Sequence, residues 1–271
     1  MARDGSRPDR VTTISGSGSG SVVAIVPARF ASSRLPGKPL LAETGRPLIQ
    51  HVVEAASRAR RIDRVIVATD DVRILDTVQR FGGEAVLTRD DHPSGTDRVA
   101  EVAAQLPHAR IIVNLQGDEP EIEPEALDRV VDLLDQAPHL PMATLCTPIR
   151  DRDTYLDPAC VKVVLAADGR ALYFSRRPIP CHRDGEPDPS VTPLAYLHLG
   201  LYAYRREFLL RLSQLPPSSL EQAERLEQLR VLELGESIAV GVVPAATAGI
   251  DTPEDYRRFL DRWRSQEGRA A

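Results

Sequence analysis

A loop rich in cations follows the first apolar run of the chain. Residues 27–38 (PARFASSRLPGK) hold three of these cations: Arg29, Arg34 and Lys38. Arginine offers flat, paired donors for phosphate oxygens, and lysine offers a compact positive charge. The loop could therefore wrap a triphosphate, although its composition fits a solvated basic loop without a ligand equally well.

Two acidic residues, far apart in the sequence, could hold a metal ion beside such a loop. Asp118 follows the apolar run 111–115, and Asp251 stands in 249–255 (GIDTPED). Mg²⁺ takes carboxylate and phosphate oxygens and usually binds only one or two carboxylates. Asp251 has an alternative role, because the residues after it form a good helix start that a nearby negative charge would stabilise.

Two familiar phosphate-binding loops are excluded by position. A Walker loop needs glycine at position 32 and serine or threonine at position 39, where Ser32 and Pro39 stand. A dinucleotide-binding fingerprint must follow the first strand, whereas the glycine-rich stretch 16–20 precedes it. Any phosphate site in this chain is therefore of another kind.

Apolar runs alternate with helical periodicities in the first half of the chain. Residues 21–27, 65–68 and 111–115 are short and rich in β-branched side chains, which is typical of strands covered on both faces. Apolar residues at helical spacing predict helices at 49–56, 99–106, 127–134 and 256–263. The alternation predicts a parallel sheet with helices on both sides, where ligands bind beyond the carboxyl ends of the strands.

The pattern changes after about residue 140. It predicts short-linked strands at 142–148, 161–166, 171–174 and 197–204, then helices near 206–213 and 219–230, and a strand at 237–243 before the final helix. We therefore predict a nucleotide-binding α/β core at 21–140, a mixed-sheet insertion at 141–235, and a return to the core at 236–265. Residues 1–20 are predicted to be a disordered tail, and the Pro-rich loop 178–193 to be exposed and mobile.

Composition limits the partners and the cellular compartment that we expect for this protein. The chain has 271 residues, 42% of them hydrophobic, and a net charge of −5, so nucleic acid is not an expected partner. The three cysteines have no metal-binding spacing, which favours a reduced, cytoplasmic protein. A run of about 18 apolar residues would be needed to span a membrane, and the sequence contains none. We expect no membrane insertion.

Eight short motifs stand in a characteristic order between about residues 22 and 260. They are 27–40 (PARFASSRLPGKPL), 67–70 (VATD), 91–98 (DHPSGTDR), 113–120 (VNLQGDEP), 171–176 (ALYFSR), 198–204 (HLGLYAY), 226–231 (LEQLRV) and 249–255 (GIDTPED). Because it contains these motifs in this order, the chain resembles the 3-deoxy-D-manno-octulosonate (Kdo) cytidylyltransferases. The first and fourth motifs are shared in looser form by other sugar-acid cytidylyltransferases.

The resemblance implies a fold, a reaction and a cofactor. The fold is a Rossmann-like core of the nucleotide-diphospho-sugar-transferase type, with a mostly parallel sheet and a smaller mixed-sheet insertion. The reaction is that of a nucleotidyltransferase, CTP + Kdo → CMP-Kdo + pyrophosphate, for lipopolysaccharide biosynthesis. The resemblance further implies Mg²⁺ as cofactor and a homodimer formed through the second half of the chain.

The same resemblance implies site residues at matching positions. For CTP they are Arg29, Arg34 and Lys38 at the triphosphate, and Ala28 with the turn Ser94, Gly95 and Thr96 at the cytosine base. For the sugar acid they are Gln116, Arg176, His198, Tyr202, Glu227 and Gln228. Asp118 and Asp251 are the implied metal ligands, and with Arg29 and Lys38 they form the implied catalytic set.

Several alternatives stay open at this point. The substrate could be another sugar acid, such as 8-amino-Kdo or a sialic acid, and the ALYFSR and LEQLR segments favour Kdo over sialic acid only. Arg177 directly follows Arg176, so either arginine could hold the substrate carboxylate. A glycosyltransferase would need an Asp-x-Asp triplet after 111–115, where Gln-Gly-Asp stands. A catalytically inactive sugar-nucleotide-binding protein is the remaining alternative of another class.

Overall fold

The computed structural model describes residues 20–31 and 34–270, with side chains described up to residue 266. The predicted tail, Gly20 excepted, and the serines at 32 and 33 of the basic loop lie outside the described residues. In chain order, the strands are β1 Ser21–Ala28, β2 Arg64–Thr69, β3 Glu84–Leu87, β4 Ala109–Asn114, β5 Met142–Ile149, β6 Lys162–Leu165, β7 Ala171–Ser175, β8 Ala195–Arg205 and β9 Ile238–Val242.

The α-helices lie between and after these strands. They are α1 Leu48–Ser57, α2 Val72–Arg80, α3 Gly95–Ala104, α4 Pro124–Gln136, α5 Arg152–Leu156, α6 Arg206–Leu212, α7 Ser219–Glu224, α8 Gln228–Glu233 and α9 Pro253–Ala270. A single 3-10 turn, Lys38–Leu40, is also found in the described part of the chain. None of the described helices is long and apolar enough to cross a bilayer.

The described strands form one sheet in the order β3-β2-β1-β4-β8-β5-β9, with β6 joined to β8 and β7 joined to β6. Strands β3, β2, β1 and β4 are mutually parallel, whereas β8 runs antiparallel to β4 and β5. The predicted α/β core with a mixed second part is confirmed. Since β5, β8 and β9 continue the sheet of the core, the boundary at residue 140 stays a prediction.

The core lies in two layers, one on each face of the sheet. Along β1, Val22, Ala24 and Val26 pack into the layer with α1 and α4. Val23 and Ile25 point the other way, into the layer with α3 and α6. Side chains alternate along a strand, so an unbroken apolar run is what a strand covered on both faces requires.

One predicted helix is wrong, because the structure has two short helices in its place. The predicted segment 219–230 is two short helices, α7 and α8, with Arg225 between them in the left-handed backbone region at φ 54°. A left-handed residue cannot continue a right-handed helix. Sequence periodicity did not indicate this break, because Arg225 is an ordinary helix-forming residue type.

Candidate active site

The basic loop and Asp118 meet at one edge of the sheet because β1 and β4 are parallel neighbours. The chain leaves β1 at Ala28 and leaves β4 at Asn114, so both following loops emerge at the same edge. A Cβ atom on Gly117 would lie 2.9 Å from the carbonyl oxygen of Pro27. Only glycine lets the two loops approach this closely.

A cleft of about 310 Å³ opens between these two loops. Three residues expected at the triphosphate, Arg29, Arg34 and Lys38, line it. Gln116, expected at the sugar acid, and Asp118, an expected metal ligand, complete its polar lining. Ala28, which is also in the expected set, lines the cleft from the end of β1. The structure therefore brings the basic loop and the first expected metal ligand to one cavity.

Lys38 connects the two expected metal ligands. Its Nζ lies 2.8 Å from Oδ2 of Asp118 and 3.4 Å from Oδ1 of Asp251. It also donates a hydrogen bond to the carbonyl oxygen of Ile250 at 2.6 Å. The guanidinium of Arg34 lies 3.3 Å from the same Asp251 oxygen. Two carboxylates remote in sequence thus share one lysine at the mouth of the cleft.

Asp251 is placed there by the docking of helix α9. Ile250, Tyr256 and Phe259 pack with Leu48 of α1 in a small apolar cluster. The backbone N–H of Ile250 donates to the carbonyl of Asp118 at 2.9 Å, which ties the two acidic loops directly.

The start of α9 is capped by Thr252 and Asp255 together and not by Asp251: the Thr252 hydroxyl accepts the N–H of Asp255 at 3.2 Å. Asp255 accepts hydrogen bonds from the N–H and hydroxyl of Thr252 at 2.9 and 2.8 Å. These bonds, together with one from the N–H of Asp251, hold the pKa of Asp255 below its usual range. The Asp251 carboxylate is left facing Lys38 and Arg34, as a metal ligand beside a phosphate site would be.

The turn Ser94-Gly95-Thr96 begins helix α3 beside β1. The Ser94 hydroxyl accepts the N–H of Asp97 at 3.1 Å and caps the helix. A Cβ atom on Gly95 would lie 3.5 Å from the Pro27 ring, so the turn packs on the end of β1. Arg29 donates to the carbonyl of His92 at 2.9 Å, which joins the basic loop to this turn.

Sequence reasoning missed Arg98, a fully buried arginine in α3. Its guanidinium lies 2.7 Å from Oδ2 of Asp70 after β2, and it also donates to Thr88 after β3. Arg98 thereby ties the ends of two strands to the helix that carries the expected base-binding turn. One feature of the sequence could have indicated this ion pair. The motif VATD ends in the acidic Asp70, and the motif DHPSGTDR ends in the basic Arg98.

Residues expected to bind the sugar acid gather on β8 and α8. The Tyr202 hydroxyl donates to Oε1 of Gln228 at 3.2 Å, and the Thr144 hydroxyl lies 3.0 Å from Nε2 of His198. The His198 and Tyr202 rings are 5.4 Å apart between centroids. Burial lowers the pKa of His198 to about 3 and raises the pKa of Tyr202, so both side chains are uncharged at neutral pH.

Thr96 links this group to the nucleotide side of the site. Its hydroxyl lies 3.4 Å from Nδ2 of Asn114, whose Oδ1 accepts from Gln116 at 3.4 Å. Burial raises the pKa of Glu227, and a hydrogen bond from the Thr96 side chain partly opposes that rise. Gln116, Glu227 and the expected base-binding turn are therefore neighbours.

Arg176 has a different environment from the one expected of a carboxylate ligand. Its guanidinium donates to three carbonyl oxygens: those of Glu224 at 2.8 Å, Pro158 at 3.1 Å and Arg225 at 3.3 Å. Much of the hydrogen-bonding capacity of the Arg176 guanidinium is thus used to hold the connection between α7 and α8, whereas Arg177 is exposed. Which arginine contacts the substrate carboxylate stays a prediction.

Lys162 is a second cation that sequence reasoning missed. It is fully buried, and its Nζ donates to the carbonyls of Asp157, Cys160 and Arg176 at 2.9, 2.6 and 2.7 Å. Burial lowers its pKa. All three ammonium donors are used, so Lys162 holds the backbone at Arg176 in place.

Two carboxylates, without a third ligand side chain, make up the expected metal site. Among the described residues, no group of three or more His, Cys, Asp or Glu side chains could enclose an ion. Burial and the neighbouring Asp118 charge raise the pKa of Glu119 to about 7, which favours its neutral form. The pair Asp118 and Asp251 fits a hard cation that takes its other ligands from phosphates and water.

Comparison with known proteins agrees with this architecture. A family model described as Cytidylyltransferase matches residues 23–238, so the chain belongs to the cytidylyltransferase family. A 3-deoxy-manno-octulosonate cytidylyltransferase of Syntrophobacter fumaroxidans is 52% identical over 241 residues, which cover 88% of this chain and 95% of the relative. One from Geobacter sulfurreducens is 48% identical over 248 residues, which cover 89% of this chain and 99% of the relative. The resemblance predicted from the motifs is confirmed.

Solved structures give the same result for the fold. The structure of CMP:2-keto-3-deoxy-manno-octonic acid synthetase complexed with CTP matches with a TM-score of 0.84 and 45% identity, covering 92% of this chain and all of that one. A 4-diphosphocytidyl-2C-methyl-D-erythritol synthase from Anaerococcus prevotii matches with a TM-score of 0.58 at 16% identity, and this likeness concerns the fold alone.

Proposed function

We propose that the protein transfers CMP from CTP to Kdo and releases pyrophosphate. One observation carries the proposal: Lys38 contacts both Asp118 and Asp251 at the edge of the sheet where the basic loop opens. The similar proteins named as Kdo cytidylyltransferases supply the identity of the sugar acid. The similar structure complexed with CTP supplies the nucleotide.

The reaction needs positioning and charge neutralisation more than a protein nucleophile. The anomeric hydroxyl oxygen of Kdo attacks the α-phosphorus and its proton passes to water, while the bond from that phosphorus to the bridging oxygen breaks and pyrophosphate leaves with that oxygen. Arg29, Arg34 and Lys38 line the cleft and would hold the triphosphate. Asp118 and Asp251 would hold Mg²⁺, whose charge, when it is bound, offsets that of the phosphates.

The remaining contacts would orient the two organic groups. The Ser94-Gly95-Thr96 turn would receive the cytosine. Gln116, His198, Tyr202, Glu227 and Gln228 would form the sugar-acid pocket, with Arg176 or Arg177 paired to its carboxylate. Tyr202 and His198 are uncharged, so they would recognise sugar hydroxyls by hydrogen bonding. The family resemblance further supports a cytoplasmic homodimer that serves lipopolysaccharide synthesis.

Pyrophosphate release tests the proposal directly. The protein is incubated with CTP or UTP and with Kdo, 8-amino-Kdo or a sialic acid, each with Mg²⁺ or with a chelator. We expect release only with CTP, a Kdo-type acid and Mg²⁺. Faster release with 8-amino-Kdo would reassign the substrate. No release with any acid would favour the inactive sugar-nucleotide-binding protein.

A further inference from the structure

The ammonium of Lys38 stands where the expected metal would have to bind. It is within 2.8 Å of Asp118 and 3.4 Å of Asp251, and its side chain is only 13% exposed. Arg34 adds a second cation at 3.3 Å from Asp251. Without ligands, both carboxylates are thus already neutralised by side chains of the basic loop.

Lys38 and Arg34 are also the residues expected to hold the triphosphate. They cannot fully serve both partners, because the carboxylates and the phosphates compete for the same positive charges. A divalent cation and the Lys38 ammonium would likewise repel each other if both contacted the same carboxylate oxygens. The arrangement seen here and the loaded arrangement therefore exclude one another.

We propose that Lys38 is a placeholder that keeps the metal site assembled and is displaced when CTP and the metal bind together. In the exchange the ammonium moves from the carboxylates to the triphosphate, and the carboxylates take the divalent cation. Lysine suits this role because its charge sits on a flexible four-carbon stem. The inference rests on the proposed function, since it assumes that Asp118 and Asp251 bind metal.

The exchange makes nucleotide and metal binding cooperative. Metal alone must remove Lys38 from two acidic partners without offering it a new one, so it should bind weakly. CTP provides that new partner, and by linkage each ligand should raise the affinity for the other. Phosphate oxygens would bind the metal even in a site without a placeholder, so the placeholder accounts only for the part of this cooperativity that the Lys38 variants lose.

The first experiment measures metal affinity in the absence of nucleotide. Mn²⁺, which is visible by electron paramagnetic resonance, is titrated into the wild type, Lys38→Met, Lys38→Gln, Arg34→Met and Asp118→Asn. We expect both Lys38 variants to bind Mn²⁺ about tenfold more tightly than the wild type. Arg34→Met should gain less, because Arg34 is 64% exposed and, of the two carboxylates, pairs with Asp251 and not with Asp118 in the described residues.

The outcomes separate the inference from the proposed function. If Asp118→Asn weakens Mn²⁺ binding but neither Lys38 variant strengthens it, the proposal that Lys38 is a placeholder is contradicted. The proposed role of Asp118 as a metal ligand is then still supported. If Asp118→Asn binds Mn²⁺ as the wild type does, the metal site and the placeholder both fail. Tighter binding in both Lys38 variants supports the exchange.

The second experiment follows Lys38 in the unmodified protein. The chain has two lysines, Lys38 and Lys162, so ¹³Cε-labelled lysine gives one signal for each. Lys162 donates to three carbonyls on the sugar-acid side, that of Arg176 among them, and serves as the internal reference when CTP and Mg²⁺ are added without sugar acid. CTP with Mg²⁺ should shift the Lys38 signal and leave the Lys162 signal in place. An unmoved Lys38 signal at saturating CTP and Mg²⁺ would overturn the inference.

Discussion

The two sides of the candidate active site hold their polar groups in opposite ways. On the nucleotide side, charged side chains remain in contact with water: Asp118 is 29% exposed, Asp251 52% and Arg34 64%. On the sugar-acid side, His198 and Tyr202 are half-buried and uncharged, and each has a hydrogen-bond partner within the protein. The charged groups of the first side can change partners when a charged ligand binds, whereas the polar groups of the second side are already paired with one another.

This contrast matches what each ligand demands. A triphosphate is highly charged, and charged side chains that contact water can rearrange to bind it. A sugar acid must be told from similar acids, and buried groups that need specific hydrogen-bond partners reject analogues that lack them. Substitutions on the nucleotide side and on the sugar-acid side should therefore have different effects on catalysis and on stability.

Asp118→Ala should have the largest effect on catalysis. We expect turnover to fall about a thousandfold, because the charge on the phosphates is then poorly neutralised. The free energy of unfolding should change by less than about 1 kcal/mol, since Asp118 is partly exposed. Steady-state pyrophosphate release and urea unfolding measure the two quantities. Asp261→Ala, at an exposed carboxylate on α9, is the control, and turnover retained in excess Mg²⁺ would refute the metal role.

Arg98→Met should act mainly on stability. Removing a buried cation leaves Asp70 without its ion-pair partner, so the free energy of unfolding should drop by about 3 kcal/mol. The KM for CTP should rise as well, because the ends of β2 and β3 are no longer tied to the Ser94-Gly95-Thr96 turn. Arg73→Met removes an exposed partner of Asp71 and should lower the free energy of unfolding much less than Arg98→Met does. Equal losses in the two variants would show that burial does not separate the roles of these arginines.

Tyr202→Phe should affect only the sugar-acid side. The variant loses one hydrogen bond to Gln228, worth about 1 kcal/mol, so kcat/KM for Kdo should fall about fivefold. The affinity for CTP, measured by calorimetry without sugar acid, should stay within a factor of two of the wild type. A larger loss for CTP than for Kdo would place Tyr202 on the nucleotide side instead.

His198→Gln should have the smallest effect and should appear only in acid. The pKa of His198 is lowered from 6.5 to about 3 in the fold, so the unfolded chain binds a proton that the folded chain does not. The wild type should therefore lose stability as the pH falls below 6.5, by on the order of 1 kcal/mol by pH 5 from this residue. Urea unfolding at pH 7, 6 and 5 should show a smaller loss in the variant. His139→Gln is the control at an exposed position, and identical pH profiles for His198→Gln and the wild type would contradict the expectation.

The parts of the site that directly follow strands were predictable from the sequence. Apolar runs marked β1 and β4, and parallel strands bring their carboxyl ends to one edge. The basic loop with Arg29 and the Asp118 carboxylate were therefore expected at the same edge, whereas Gln116 was implied only by the family resemblance. Their residue types also indicated phosphate and metal chemistry.

Buried charges were not predictable in the same way. Arg98 and Lys162 look like surface residues in a sequence, because a cation is ordinarily exposed unless its charge is paired or its donors are satisfied. Their partners, Asp70 and three backbone carbonyls, come close only when the chain has folded. The break between α7 and α8 at Arg225 depends on tertiary contacts in the same way.

The family, the parallel strands and the basic loop are all evident in the amino-acid sequence, because they follow from local periodicity and from motifs in order. The contact of Asp251 with Lys38, next to Asp118, exists only in the folded chain. That contact depends on helix α9 docking against α1 through Phe259 and Leu48, and such long-range apolar packing has no local sequence pattern.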